Sequence, residues 1–175
     1  RRKPHGTLLA SAHAVDREFK VLSALSSTNV PVPVPVALCE DETIIGSMFY
    51  VMEYLEGRIF WDPALPEVND ADRGEIYDQM NQVLADMHNV DISAVGLSDY
   101  GKPGNYFERQ IGRWTKQYRA AETTRIPAME KLIEWLPNHM PEDDGRVSLV
   151  HGDYRLDNMI FHPTEPKIIG VLDWE

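Results

Sequence analysis

Two short apolar segments near the end of the sequence, each bordered by a polar residue, constrain the fold more than any other feature. Met159–Phe161 and Ile168–Leu172 have the aromatic and β-branched composition of buried strands. The polar linker His162–Pro166 joins them as a predicted hairpin. Asn158 lies just before the first strand and Asp173 just after the second, so antiparallel pairing brings both side chains to the open end of the hairpin.

The rest of the chain predicts three further strand-like segments and four helices. Apolar residues at helical spacing predict helices over residues 14–25, about 72–90, 107–118 and from Pro127 onward. Phe49–Met52 predicts a buried strand, Ser148–Val150 a short one, and Ile44–Ser47 a strand end followed by a turn. The alternating prolines of Pro31–Val36 favour an extended connector or an edge strand. This order of elements predicts an α+β fold.

Composition excludes several kinds of protein. The net charge of −11, from 28 acidic and 17 basic residues, argues against a protein that binds duplex nucleic acid. The single cysteine, Cys39, allows no internal disulfide, which fits a cytoplasmic location. No apolar run is long enough to span a membrane, and the six histidines lack the spacing of a zinc site.

The loop before the hairpin carries a third oxygen-bearing side chain. Asp153 precedes Asn158 by five residues, within reach of the hairpin's open end. A carboxylate that accepts a hydroxyl proton, together with amide and carboxylate oxygens as magnesium ligands, is the set that phosphoryl transfer requires. The alternative is that these residues only form turns, since Asp and Asn are common there. The flanking strands and Asp173 favour the functional interpretation.

The segment from His151 to Asn158, together with Asp173, resembles the His-Gly-Asp…Asn signature of the aminoglycoside phosphotransferase and choline kinase-like family, in the protein-kinase-like superfamily. The similarity is closest to the phosphotransferase domains associated with acyl-CoA dehydrogenase-type proteins. It also covers Val15–Phe19, Phe49–Gly57 and Pro103–Phe107. The resemblance implies ATP- and Mg²⁺-dependent phosphorylation of a hydroxyl group on a small molecule, and a functional link to an acyl-CoA dehydrogenase-type domain.

The same resemblance implies a role for each site residue. Asp153 is expected to act as the catalytic base, and Asn158 and Asp173 as magnesium ligands. The Glu53 carbonyl and the Leu55 amide are expected to bind the adenine edge, with Met52 behind them. Two further residues, Glu18 and Arg1, are expected to orient and bind the phosphates; Lys3 is an alternative to Arg1, because the two share one face of a strand.

The resemblance further implies a two-lobe fold. Residues 1–56 correspond to a partial N-lobe with the hinge, and 57–175 to a partial, mostly helical C-lobe with the catalytic loop and hairpin. The sequence starts without Met and stops directly after the segment that ends in Asp173, so we expect a fragment. The N-lobe is then truncated before its third strand, without the glycine-rich phosphate loop, and the C-lobe after the metal-binding Asp.

Two other functions remain open from sequence. One is a metal-dependent hydrolase that uses His151, Asp153, Asp157 and Asp173 as ligands, although Phe49–Leu55 argues against it. The other is a non-catalytic, kinase-like nucleotide-binding module. The acceptor is also open: the acidic chain suits a cationic aminoglycoside or choline, whereas the closer resemblance favours a hydroxyacyl-CoA thioester.

Overall fold

The computed structural model describes residues 1–3, 14–101 and 104–174. Pro103 and Glu175, both within predicted segments, lie outside the described residues. The elements in chain order are α1 Val15–Leu25, β1 Pro35–Cys39, β2 Phe49–Met52, α2 Asp70–His88, α3 Tyr106–Ala121, α4 Pro127–Trp135, β3 Met159–Phe161 and β4 Ile168–Val171. Short 3-10 helices span Leu136–Asn138 and Leu156–Asn158. The α+β prediction is confirmed.

The chain divides into two units. The first contains Arg1–Ser98 and Ser148–Glu175, and the second contains Asp99–Val147. This division separates the central helices α3 and α4 from everything else, whereas the boundary at residue 56 between an N-lobe and a C-lobe stays a prediction. Within the described residues, no helix is both long and apolar enough to cross a membrane.

The first unit holds two small antiparallel sheets. β1 pairs with β2, and on its other edge β2 meets the first three residues, where Arg2 forms an antiparallel bridge with Phe49. β3 pairs with β4 as the predicted hairpin, with Met159 opposite Val171. Helix α1 packs on the first sheet and helix α2 against β4.

The connection after β2 links the two sheets. Arg58 and Phe161 exchange two backbone hydrogen bonds of 2.8 Å, so this segment adds to the edge of the hairpin. Gly57 permits the approach, because a Cβ there would lie 2.3 Å from the Phe161 carbonyl oxygen. Gly170 in β4 likewise leaves room for the side chain of Leu55, whose Cδ1 would be 2.3 Å from an added Cβ.

The second unit consists mainly of α3 and α4. The predicted apolar stripes of these helices line one shared cleft, formed by Ile111, Trp114, Tyr118, Met129, Leu132 and Ile133. Pro127 occupies the first turn of α4, as expected for a residue without a backbone N–H.

Two details of the sequence prediction are wrong. Ser148–Val150 is not a strand, and Ile44 and Ile45 lie in a turn that closes with a 2.8 Å bond from the Gly46 amide to the Glu42 carbonyl. The proline-rich segment runs, as expected, as a connector into an edge strand, Pro35–Cys39. That strand tolerates its proline because, among the described residues, β2 is its only neighbour in the sheet.

Candidate active site

The loop before β3 holds Asp153 and Asn158 together. Gly152 adopts φ +90°, a conformation that side chains disfavour, and turns the chain between His151 and Asp153. The 3-10 helix Leu156–Asn158 then returns it to the strand. The side-chain nitrogen of Asn158 donates to the Asp153 backbone carbonyl at 2.9 Å and to the Asp153 carboxylate at 3.2 Å. These bonds use only the nitrogen of the Asn158 side chain. Its Oδ1 atom is the acceptor of that side chain.

His151 connects this loop to the end of β4. Its Nε2 atom lies 2.8 Å from the Leu172 carbonyl, and its Nδ1 atom accepts a 3.3 Å hydrogen bond from the Asp153 amide. Both bonds are made by a neutral ring protonated on Nε2. Burial lowers the pKa of His151, against the opposing effect of the Leu172 carbonyl, and so favours the neutral ring. His151 therefore positions the loop.

The hairpin brings Asp173 to the same place. The Leu172 amide donates to the Asn158 carbonyl at 2.8 Å, so the residues that border the two strands are adjacent. Asp173 adopts φ +68°, a left-handed conformation that is uncommon for a residue other than glycine. Such outliers cluster at functional sites. The backbone bond from Leu172 places Asn158 beside the residue that precedes Asp173, as antiparallel pairing predicts.

One guanidinium joins this end of the hairpin to helix α1. Arg1 Nε lies 3.0 Å from the carboxylate of Glu18, and another nitrogen of the same group contacts Asp173 Oδ1. Glu18 is buried, with only 2% of its surface exposed. Tyr50 packs beside this pair, and its pKa is raised by burial and by Glu18. A buried carboxylate needs such a counter-charge.

The sheet explains why Arg1 rather than Lys3 reaches Glu18. The Tyr50 amide donates to the Arg1 carbonyl at 2.9 Å and the Lys3 amide to the Met48 carbonyl at 3.0 Å, which sets the register of the first residues. Lys3 lies two residues further along that segment, about 7 Å away on the same face, and it is exposed.

The predicted adenine-binding residues lie at the end of β2 and directly after it. The Glu53 amide donates to the Val34 carbonyl at 2.8 Å, whereas the described residues provide no backbone partner for the Glu53 carbonyl or the Leu55 amide. These are the two groups expected to bind the adenine edge. Met52 is half-buried at the end of the strand. The backbone pattern is compatible with that role.

The donor set fits a magnesium ion that also contacts phosphates. Magnesium prefers oxygen ligands and takes one or two carboxylates from a protein, with phosphates and water completing its shell. The Asn158 Oδ1 atom and the Asp173 carboxylate are oxygen donors of this kind. No group of three or more His, Cys, Asp or Glu side chains forms a metal site within residues 1–3, 14–101 and 104–174.

Three other side chains support the loop, and the sequence analysis did not point to Tyr154 or Trp174 among them. The Tyr154 hydroxyl donates to the Met80 carbonyl in α2 at 2.8 Å, and burial raises the pKa of Tyr154 to about 12. Trp174 packs its ring 4.6 Å from that of His151. An aromatic residue directly after Asp173 was the available signal for Trp174; nothing in the sequence pointed to Met80 as a partner. Arg155 forms a two-point ion pair with Asp157, which braces the loop.

Two curated relatives are similar to this chain over its full length. The chain is 56% identical over its full length to acyl-CoA dehydrogenase family member 10 of Mus musculus and 50% identical to family member 11 of Gallus gallus. It spans only 16% and 22% of these two relatives, respectively.

A solved structure from Ralstonia eutropha, provisionally described as an aminoglycoside phosphotransferase, matches 92% of the chain with a TM-score of 0.88 and 59% identity. The match covers 49% of that structure's chain. The model of the phosphotransferase enzyme family matches residues 1–175. The chain therefore belongs to the phosphotransferase enzyme family.

Proposed function

We propose that this chain provides the catalytic and metal-binding residues of an ATP- and Mg²⁺-dependent kinase that phosphorylates a hydroxyl group of a small molecule. The observation that carries the proposal is the convergence of Arg1, Glu18, Asp153, Asn158 and Asp173 within one structural unit. Their chemistry combines a base, two oxygen ligands and a phosphate-binding cation. Family membership supports the reaction class.

Asp153 would accept the proton of the acceptor hydroxyl while its oxygen attacks the γ-phosphorus. A phosphorus–oxygen bond forms to the acceptor as the bond to the β-phosphate oxygen breaks, and ADP leaves. Asp153 is exposed, as a residue that meets a diffusing substrate must be. Its carboxylate is oriented by Asn158, and its amide is held by His151. General-base help of this kind contributes roughly 10²–10⁴-fold.

Arg1 and the metal ligands would act on the nucleotide. Arg1 is oriented by the buried Glu18, as a cation that binds phosphates needs to be. Asn158 and Asp173 would hold magnesium, which neutralises the charge that develops on the phosphate oxygens. The Glu53 carbonyl and Leu55 amide would bind the adenine edge, with Met52 behind it.

The acceptor that we favour is a hydroxyacyl-CoA thioester. The support is the naming of the mouse and chicken relatives as acyl-CoA dehydrogenase family members, in which the matched segment is a minor part. The R. eutropha structure and the acidic charge support an aminoglycoside-like cation instead. A phosphorylation assay with ATP, Mg²⁺ and each acceptor in turn, on the full-length protein, separates these two.

The hydrolase alternative receives no support from the side-chain contacts. Both ring nitrogens of His151 are used by backbone groups, and the Asp157 carboxylate is taken by Arg155. Two of the four ligands that a hydrolase would need are thus occupied.

The proposal is tested by an ATP-binding titration in Mg²⁺, run beside a turnover assay on the full-length protein. Binding together with phosphate transfer to one of the acceptors is the expected result. Binding without transfer to any of them would favour a non-catalytic module. Hydrolysis of a substrate without nucleotide would favour the hydrolase.

A further inference from the structure

The Asp173 carboxylate at the hairpin end is contacted by one cation and is the proposed ligand of a second. Its Oδ1 atom is in contact with the Arg1 guanidinium, and magnesium is the proposed second cation. A guanidinium and a divalent cation at one carboxylate repel each other. Metal binding to Asp173 is therefore weakened as long as Arg1 stays in contact with it.

The ion pair with Glu18 determines where Arg1 can go. Its Nε atom is bound to Glu18 at 3.0 Å, while a different nitrogen contacts Asp173. Breaking the second contact leaves the first intact, because the two use separate atoms of the guanidinium. The Arg1 side chain then stays anchored, with a donor available to an anionic group such as a phosphate.

We propose that Arg1 acts as an exchangeable counter-ion of Asp173, so that divalent metal binds weakly on its own and tightly once nucleotide phosphates draw Arg1 away. This proposal rests on the proposed function and adds to it a reason for ordered, mutually dependent binding. Such coupling is reciprocal: the nucleotide raises metal affinity by the same factor by which metal raises nucleotide affinity. It would keep the base and metal ligands from holding a metal ion before the nucleotide arrives.

The test measures Mn²⁺ binding to the full-length protein without nucleotide, by electron paramagnetic resonance of the free ion. Arg1→Gln removes the competing cation and is expected to raise Mn²⁺ affinity roughly five-fold, the effect of removing a partly exposed ion pair. Lys3→Gln is the matched control, since it removes the same charge two residues away on the same face. Its Mn²⁺ affinity should equal that of the wild-type protein.

Arg1→Gln removes the ion-pair contact that Arg1 makes with the buried Glu18 and can fail to fold. The double variant Arg1→Gln/Glu18→Gln removes both charges, which costs less than removing one. It should show the same rise in Mn²⁺ affinity. If neither folded variant binds Mn²⁺ more tightly than wild type, or if Lys3→Gln gives an equal rise, the counter-ion proposal is overturned.

A separate variant distinguishes this outcome from failure of the proposed function. Asp173→Asn should reduce Mn²⁺ binding measured in the presence of a non-hydrolysable ATP analogue. If it does not, the proposed magnesium site itself is wrong. If it does while Arg1→Gln has no effect, the site stands and only the exchange of Arg1 is refuted.

Discussion

The side-chain nitrogen of Asn158 donates to both the backbone carbonyl and the carboxylate of Asp153, at 2.9 and 3.2 Å respectively. One side chain thereby orients the proposed base through its nitrogen and offers its oxygen to the proposed metal. The five-residue spacing between them has this physical meaning: a single 3-10 turn folds the second residue back onto the first.

Replacing Asn158 separates these two roles. Asn158→Asp keeps an oxygen ligand but loses the donor and places a second negative charge beside Asp153. Turnover should fall by about 10²-fold or more, as expected when a catalytic group loses its position, while higher Mg²⁺ restores only part of it. Asn158→Ala loses both roles and should not be rescued by Mg²⁺. The measurement is kcat as a function of Mg²⁺ concentration, and equal behaviour of the two variants would argue against the division of roles.

His151 should make stability depend on pH. Burial lowers its pKa in the folded state below the ordinary 6.5, so the unfolded chain binds a proton that the folded chain resists. The stabilising contribution is complete above about pH 6.5 and is lost as pH falls from there through the folded pKa. Urea unfolding between pH 5 and 8 should show this loss in the wild-type protein and less of it in His151→Gln. Identical pH profiles for both proteins would exclude His151 as the source.

Truncating His151 should also be costly at neutral pH. His151→Ala leaves the Leu172 carbonyl and the Asp153 amide without their partner and opens a cavity beside Trp174. A loss of about 2–4 kcal/mol in the free energy of unfolding is expected. A loss below about 0.5 kcal/mol in urea unfolding, the size of an ordinary surface change, would contradict the bracing role.

Two glycine-to-alanine substitutions test the packing of the connection after β2. Gly57 lies in that connection, and Gly74 in helix α2 is the control. At Gly57 an added Cβ would lie 2.3 Å from a backbone oxygen, which cannot yield, so Gly57→Ala should destabilise the protein by about 1–3 kcal/mol. At Gly74, inside helix α2, an added Cβ meets nothing within 4 Å. Gly74→Ala should instead stabilise by about 0.5–1 kcal/mol. Thermal unfolding of the two variants should shift in opposite directions, and a shift in the same direction would refute the packing account.

The sequence allowed the local features to be predicted better than the distant contacts. Helices, the hairpin and the approach of Asn158 to Asp173 follow from apolar periodicity and from antiparallel pairing, which are local rules. The prediction of a strand at Ser148–Val150 was wrong because a short apolar run does not reveal whether a pairing partner exists.

Contacts between residues far apart in sequence were harder to predict. The bond from Tyr154 to Met80 joins residues 74 positions apart, and no spacing rule connects them. The choice between Arg1 and Lys3 stayed open for a related reason. Alternation places both on one face, and only the register with β2 brings Arg1, rather than Lys3, to Glu18.

The most direct test of the central claim is the rate of phosphate transfer by Asp153→Asn in the full-length protein, assayed with ATP, Mg²⁺ and a hydroxyacyl-CoA thioester, choline or an aminoglycoside. Asp157→Asn is the control, because it changes a nearby carboxylate that is already paired with Arg155. Asp153→Asn should lose roughly 10²–10⁴-fold in turnover with nearly unchanged ATP affinity, and Asp157→Asn should stay within a few-fold of wild type. A protein that retains its full transfer rate with Asn at position 153 would contradict the assignment of Asp153 as the base.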